Sequence, residues 1–428
     1  MTSQKHLKAA VRARMARTGE RYTSARRHLT GDPSAAAVPG YPAFGGGRQH
    51  DSALLAHVLE AAGVTATHDG RPLGEPMVAG LAGGIGFMYF TFSYSGHLPT
   101  MTIVPRIHPR PFVSGALERA GLAHTVSETT SAAKAARALD AALDAGRTPI
   151  CTVDRAGLAH QAWADVFAGA SPHDVAVAGR RGTTLLLDDD RLEPVEMSAK
   201  DVAAARAAHR ASKHRMVVVE PPTAPVDLAP AIRASLAVTV HDLTEDVMPG
   251  NFAGNFGLRG LAKWADAVAD RRTKTGWTRV FDSGPAFGHA LRRLYDCLTF
   301  DHSSPGAMRP LYAEFLTEAA DVVGEPGLTE VAGRYATAGA LWERIGEATV
   351  AGHLAAYRPL VERRLELLLG GGTPAAMQAL SREVEEFTAG LDVPEADRAA
   401  ELDALAELAA RVVLPEREAC AALRQVVG

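Results

Sequence analysis

The sequence predicts an α/β N-terminal domain followed by an all-α C-terminal domain. Three observations carry this. Short apolar runs bounded by Gly, Pro and Asp, the pattern of buried strands, stop at Pro221-Pro222. From about residue 224 onward Ala, Leu and Val recur at i, i+3 and i+4, the period of packed helices, with breaks at 249–257, 303–306 and 370–374. Gly80–Phe90 places four glycines in seven residues before an apolar, aromatic run, which marks a tight turn or a close approach feeding a strand. The expected division is a basic N-terminal helix and linker at 1–36, an α/β domain at 37–222 and a helical domain at 223–428.

Composition narrows the function classes. The 428 residues are 47% hydrophobic and 22% charged, with a formal charge of −4, so the chain as a whole does not have the basic balance of a nucleic-acid binder. Cys151, Cys297 and Cys420 are too few and too scattered for a disulfide framework or a zinc site, which suits a cytoplasmic protein. No apolar run reaches the ~18 residues of a membrane span, and no apolar core follows the basic N-terminus as in a secretory signal.

Taken in order, residues 1–31 set eight Lys and Arg against the single acid Glu20, with Leu7, Val11 and Met15 on one helical stripe. This is an amphipathic extension packing on the body or a dock for an acidic partner. A Pro/Gly/Ala linker covers 32–47. Next, Gln49-His50-Asp51-Ser52 opens a helix carrying Leu54, Leu55, Val58 and Leu59 and ending near Gly63, with Asp51 as its expected N-cap. The Gly-rich stretch is neither a phosphate loop, since no Lys-Ser/Thr follows, nor a dinucleotide fingerprint, which should open a helix.

Further on, Met101–Val104 and Pro149–Asp154 read as strands, and 112–121 and 131–145 as helices. Asp174–Ala178 and Thr183–Leu187 read as a hairpin turning at Gly179–Gly182, and Met216–Val219 as a last strand. Several residues have structural readings beside functional ones. A histidine on a strand, such as His173, is often a satisfied structural group. Three successive acids, Asp188-Asp189-Asp190, usually face solvent. Arg309 and Tyr312 share a helix face after a Ser303–Gly306 turn that serves as a helix cap or an anion cradle. Phe252, Phe256, Trp264 and Trp277 are expected core or interface anchors.

Two sets of motifs, in this order, resemble a known family. "GLAGGIGFMYF", "GRTPICTVD", "HDVAVAG" and "TTLLLDD" come first, followed by "NFGLRGLAKWA" and "MRPLYAEFLTEAA" in the helical half. The combination resembles butirosin biosynthesis protein H and its relatives over roughly 45–350. The resemblance implies a papain-like N-terminal fold, of the cysteine-peptidase type, joined to a helical domain of unassigned function. It also implies acyl transfer from a carrier-protein thioester to a small-molecule amine acceptor.

Papain-like chemistry needs a nucleophile at a helix N-terminus, a histidine on a facing strand and an acid orienting it. On the resemblance, His173 matches the histidine and Asp188 the orienting acid, with Asp189 as the alternative. Gln49 sits where an oxyanion donor would be, and Gly83, Gly84, Gly86 and Tyr89 would wall the substrate cleft. Relatives with the catalytic pattern read His-Cys at the helix start. Here Gln49-His50-Asp51-Ser52 stands in that place, and none of the three cysteines falls there.

Three readings follow. Ser52 replaces the cysteine; or His50 or His173 acts as a general base on an amine beside a preactivated thioester; or the cleft only binds or regulates. No cofactor, metal, nucleic acid or membrane is expected. The partners are an acyl carrier protein or other acyl thioester and an amine, and homodimerisation is left open.

Overall fold

The computed structural model describes residue 38, residues 40–162 and residues 168–428. The expected basic helix at 1–36 lies outside the described residues. In chain order the principal elements begin with α1 (His50–Ala61), α2 (Glu75–Leu81), β1 (Ile85–Phe92), β2 (Thr100–Arg106), α3 (Phe112–Arg119), β3 (His124–Ser127), α4 (Ala132–Asp144), β4 (Ile150–Asp154), β5 (Pro172–Arg181), β6 (Thr184–Asp188) and β7 (Val195–Ser198). They continue with α5 (Ala199–Ala208), β8 (Met216–Val219), α6 (Ala229–Thr244), α7 (Gly257–Ala269), α8 (Trp277–Val280), α9 (Gly284–Thr299), α10 (Arg309–Val323), α11 (Gly327–Thr349), α12 (Tyr357–Leu369), α13 (Pro374–Ala389) and α14 (Glu395–Val427). The chain is thus mixed α/β, with its sheets before residue 220 and helices after, as expected.

The described chain forms two compact units that are discontinuous in sequence. One takes the chain up to Glu75, Leu122–Val226 and Glu362–Ser381; the other takes Pro76–Gly121, Asp227–Val361 and Arg382–Gly428. Of the several crossings between these units, the one at 226/227 lies near the expected boundary at 222/223. The first sheet hairpin belongs with the helices, and a piece of the helical half belongs with the larger sheet.

The sheet unit is built on six antiparallel strands in the order β3-β8-β4-β5-β6-β7. All five residues of β4 are buried, including the polar Thr152 and Asp154. Cys151, Val153, Val175, Val177, Leu185 and Leu187 form one apolar layer with Leu139 of α4 and Val202 and Ala205 of α5. The β5–β6 hairpin turns at Gly182, whose φ of +59° suits glycine, and carries a bulge between Val177 and Gly179. Helix α1 packs against β5. Its N-cap is Gln49 and not the expected Asp51: the Gln49 side chain accepts from Ser52 N at 2.7 Å, and Asp51 lies in the first turn.

The helical unit encloses the β1–β2 hairpin. Phe87, Tyr89, Met101 and Ile103 join Trp264, Trp277 and Trp342 in one apolar cluster, and Trp277 Nε1 donates to Tyr89 Oη at 2.9 Å. Burial on both faces explains the aromatic run after the glycines. Trp264, Trp277 and Phe256 are buried anchors as expected, whereas Phe252 is 52% exposed.

The Gly-rich stretch is a packing joint within this unit. Gly84 has φ +62°, and a Cβ there would stand 2.3 Å from the Tyr312 ring; one on Gly86 would stand 2.6 Å from Arg106 O. Gly83 abuts Ile107, and its carbonyl accepts from Thr239 Oγ1 at 2.8 Å. The close approach read from the glycines is real, but the approaching groups are the protein's own. Gly83, Gly84, Gly86 and Tyr89 are therefore occupied by packing and do not present a cleft wall.

Arg309 and Tyr312 do share a helix face, and it is the inner one. The Arg309 guanidinium is fully buried. Nε and Nη2 grip Glu416 at 2.7 and 3.3 Å, Nη1 reaches Pro105 O and Ala307 O, and Nη2 reaches Gly86 O. Trp342 Nε1 donates to the same carboxylate at 2.6 Å. Helix α14, helix α11 and the hairpin thus meet on one ion pair.

Removing one partner of a buried pair strands the other charge. Glu416→Ala is expected to lower stability by about 3–5 kcal/mol in urea unfolding, while the exposed Glu418→Ala stays within about 0.5 kcal/mol. Equal, small losses in both variants would remove the ion pair from its central place.

Candidate functional site

Three acids leave the end of β6 in succession, and each finds different partners. Asp188 and Asp189 are 1% and 2% exposed, so the expected solvent-facing triple is corrected: two of its members are core residues. A buried carboxylate needs several donors to remain charged, and the fold supplies them from four places in the chain.

Asp188 serves the segment before α1. Its Oδ2 accepts from Tyr41 Oη at 2.5 Å and from His57 Nδ1 at 2.7 Å, and its Oδ1 accepts from Gly45 N at 2.8 Å. Gly45 has φ +51°, and a Cβ would lie 2.3 Å from Arg191 O, so the loop can reach the carboxylate only with glycine. Burial, then the charge of Asp188 and its hydrogen bond, raise the Tyr41 phenol well above its usual range, so it remains a donor. Asp188 therefore does not orient His173, which corrects the expected pairing.

Asp189 takes that role, as the alternative assignment had it. Its Oδ1 faces His173 Nε2 at 2.8 Å, and its Oδ2 faces His160 Nε2 at 2.5 Å and Gln161 Nε2 at 2.8 Å. Burial would raise this carboxyl. The charge of His173 and the hydrogen bonds from His160 and His173 reverse that and hold it well below the usual carboxylate range. His173 meets Asp189 through Nε2, and its Nδ1 makes no hydrogen bond among the described residues.

His50 closes the cluster from the first residue of α1. Its ring stacks on that of His173, with centroids 4.3 Å apart and planes at 22°. Nδ1 faces Asp190 Oδ1 at 3.1 Å and Nε2 faces Asp174 O at 2.7 Å. Both partners are acceptors, so both ring nitrogens carry protons and the ring is an imidazolium. Burial opposes that charge, but Asp190 by its charge and hydrogen bond, then Asp189 and Asp51 by charge, raise His50 to about 10. The same pairing holds Asp190 well below the usual range despite its burial. A general-base role for His50, one of the expected alternatives, is thereby corrected: at neutral pH it has no lone pair to offer.

The remaining expected residues are committed elsewhere. Ser52 is fully buried; its Oγ lies 3.1 Å from Gln49 O and 3.3 Å from Glu75 Oε1, and no histidine bonds it among the described residues. The Ser52–His173–Asp188 triad is not formed. Gln49 is fully buried, caps α1 with Oε1 and donates from Nε2 to Asp51 Oδ2 at 3.0 Å. Glu75 receives the backbone N–H groups of Arg48 and Gln49 at 2.7–3.0 Å and fixes this turn. Cys151 lies in the apolar layer of the sheet, where burial pushes its thiol up to about 11, far from a reactive thiolate.

Sequence reasoning missed Tyr41, His57, His160 and Gln161. His57 was accessible, since it lies seven residues after His50 and shares its helix face. His160 and Gln161 sit after a short turn with no periodic signal. The ligand atoms of His50, His173 and Asp189 all lie within 4.8 Å of one another, a set able to hold a metal ion. The Gly45–Gly47 loop, His50, His57 and Asp190 line a small pocket beside it.

Residues 51–190 match the family model of the butirosin biosynthesis protein H N-terminal domain, and residues 200–362 match a domain of unknown function (DUF4872). The chain belongs to the butirosin biosynthesis protein H-like family. The two matches follow one another in the expected order. No curated protein matches the chain. The butirosin-type domain as matched runs from the first turn of α1 to Asp190, so its span ends on the acid that holds His50. No helix among the described residues is long and apolar enough to cross a membrane.

His50 makes stability depend on pH in a definite direction. Its folded pKa is above the ordinary 6.5, so its contribution is complete below about pH 6.5 and is lost as pH rises toward about 10. Asp189 and Asp190 are depressed, so theirs is complete above about pH 4 and lost as pH falls. The urea midpoint is expected to decline between about pH 7 and 10, and His50→Ala should flatten that alkaline limb. An alkaline limb of unchanged slope in His50→Ala would show that another group sets it.

Proposed function

We propose that this protein transfers an acyl group from a carrier-protein thioester directly to an amine, with no acyl-enzyme intermediate, on a sheet unit of papain-like topology. The observation that supports this reading most is the Asp189–His173 pair. It sets an oriented histidine with an uncommitted Nδ1 beside the start of α1, while neither Ser52 nor any cysteine stands with it as a nucleophile. An antiparallel sheet bearing the histidine, with a helix N-terminus packed on the same strand, is the arrangement that papain-like chemistry uses.

In this reading the amine nitrogen attacks the thioester carbonyl carbon while His173 Nδ1 takes the amine proton. The carbon–sulfur bond then breaks, and the carrier thiol leaves with the proton that His173 returns. Asp189 stabilises the intermediate imidazolium without taking the proton. His50 contributes fixed positive charge, which offsets two carboxylates so that the cluster is not left strongly anionic. Holding donor and acceptor together supplies about 7–11 kcal/mol and a general base about 10²–10⁴-fold, which together suffice without covalent catalysis.

A second reading, a binding or regulatory protein on the same fold, is favoured by one observation. Asp188, Asp189, Asp190 and His50 are all satisfied by one another and by their neighbours, as in a structural network.

The full-length protein is to be incubated with acyl-carrier thioesters and aminoglycoside-type amines, with amide formation followed by mass spectrometry. His173→Asn is expected to lose about 10²–10⁴-fold in rate and Ser52→Ala little. An acyl group trapped on the protein would overturn direct transfer. Amide formation equal in wild type, His173→Asn and protein-free controls would favour the binding reading.

A further inference from the structure

The His50–His173–Asp189 group has a feature that acid–base pairing alone does not require. A histidine that binds a metal ordinarily donates its other ring N–H to a carboxylate or a backbone carbonyl, and its partner ligands are held by outer hydrogen bonds. His50 has this arrangement: Nε2 is pinned to Asp174 O at 2.7 Å, which leaves Nδ1 as the atom turned into the cluster. Asp174 is itself held, with Oδ1 accepting from Thr152 Oγ1 at 2.5 Å. Asp189 is divided in the same way. His160 and Gln161 both bond Oδ2, while Oδ1 faces His173 Nε2 at 2.8 Å and His50 Nδ1 at 3.7 Å. One oxygen is anchored from behind and the other is shared by two histidine nitrogens.

We propose that this cluster is a binding site for one divalent transition-metal ion, with His50 Nδ1, His173 Nε2 and Asp189 Oδ1 as ligands. The three atoms lie within 4.8 Å of one another and come from the start of α1, from β5 and from the residue after β6. An ion bonded at about 2.0–2.2 Å to imidazole and carboxylate draws these atoms closer, and binding requires the stacked His50 and His173 rings to turn out of their near-parallel arrangement so that both nitrogens face it. Two imidazoles and one carboxylate suit zinc or iron(II) better than magnesium or calcium, which prefer all-oxygen shells. Asp190 Oδ1, 3.1 Å from His50 Nδ1, stands close enough to become a fourth ligand.

The proton balance is simple. On binding, His50 gives its Nδ1 proton to solvent, and His173 moves its proton from Nε2 to Nδ1. A loaded site therefore withdraws the lone pair that the acyl-transfer reading uses, so the metal would act as an inhibitor of that chemistry. The metal site does not rest on that reading, because metal binding is measured without any acyl donor.

The test uses chelator-treated full-length protein titrated with Zn²⁺, with bound metal measured by elemental analysis and calorimetry and Mg²⁺ as the comparison ion. One Zn²⁺ per chain is expected, with no comparable Mg²⁺ binding. His173→Ala and Asp189→Asn should each weaken Zn²⁺ by about 100-fold or more, and Gln161→Ala, an outer-shell change, by about 10-fold. Since Asp189→Asn also disturbs a buried network, Co²⁺ spectra of the wild type provide a second readout. Visible d–d bands without thiolate charge transfer are expected, because no cysteine belongs to the set. Substoichiometric Zn²⁺, affinity unchanged in folded His173→Ala, or thiolate charge-transfer bands would each overturn the proposal.

Discussion

A carboxylate taken out of water must be given donors, and this chain sets two buried ones and a half-buried one in a row. Everything distinctive about the sheet unit follows from meeting that requirement at Asp188, Asp189 and Asp190. Asp188 pins the Tyr41–Gly45 segment and His57; Asp189 gathers His173, His160 and Gln161; Asp190 holds His50. Without these donors, each acid would carry a desolvation penalty of several kcal/mol in its charged form. With them, the strand end becomes the point where the helix start, a loop and two strands are fixed relative to one another. The same satisfaction that stabilises the network orients His173.

The helical unit solves an equivalent problem with one residue. Arg309 has five N–H donors in a rigid fork, and the structure fills all five with Glu416 and the carbonyls of Gly86, Pro105 and Ala307. Shared acceptance from Trp342 ties this pair to the aromatic cluster around the β1–β2 hairpin. The Gly-rich stretch belongs here. Its glycines let Tyr312, Ile107 and the β2 backbone close on the chain, so a motif that reads like a ligand loop is one side of a tightly filled joint.

Much of the local structure was legible. The strand runs at 150–154 and 216–219, the hairpin ending at Gly182, the helix ending at Gly63 and the helical breaks after 224 all follow from period and punctuation. His173 as the central histidine was also legible, through its motif. The orienting acid was legible only to within one position. Adjacent residues alternate in direction at a strand end, so whether Asp188 or Asp189 meets His173 depends on where β6 stops pairing, and sequence does not fix that end to one residue.

The sequence by itself determined the order of elements, the family motifs and the absence of a cysteine at the helix start, because these are properties of period, punctuation and residue identity along the chain. Tertiary structure decided the rest. It placed the β1–β2 hairpin among helices because both its faces are apolar. It made His50 a cation because two acceptors, from β5 and from beyond β6, converge on its ring. It committed the Ser52 hydroxyl to Gln49 O and Glu75 and brought Asp189 to the histidine. Those outcomes depend on which groups meet in space, across 140 residues for His50 and Asp190 and 16 for Asp189 and His173, and no local pattern encodes a contact of that kind.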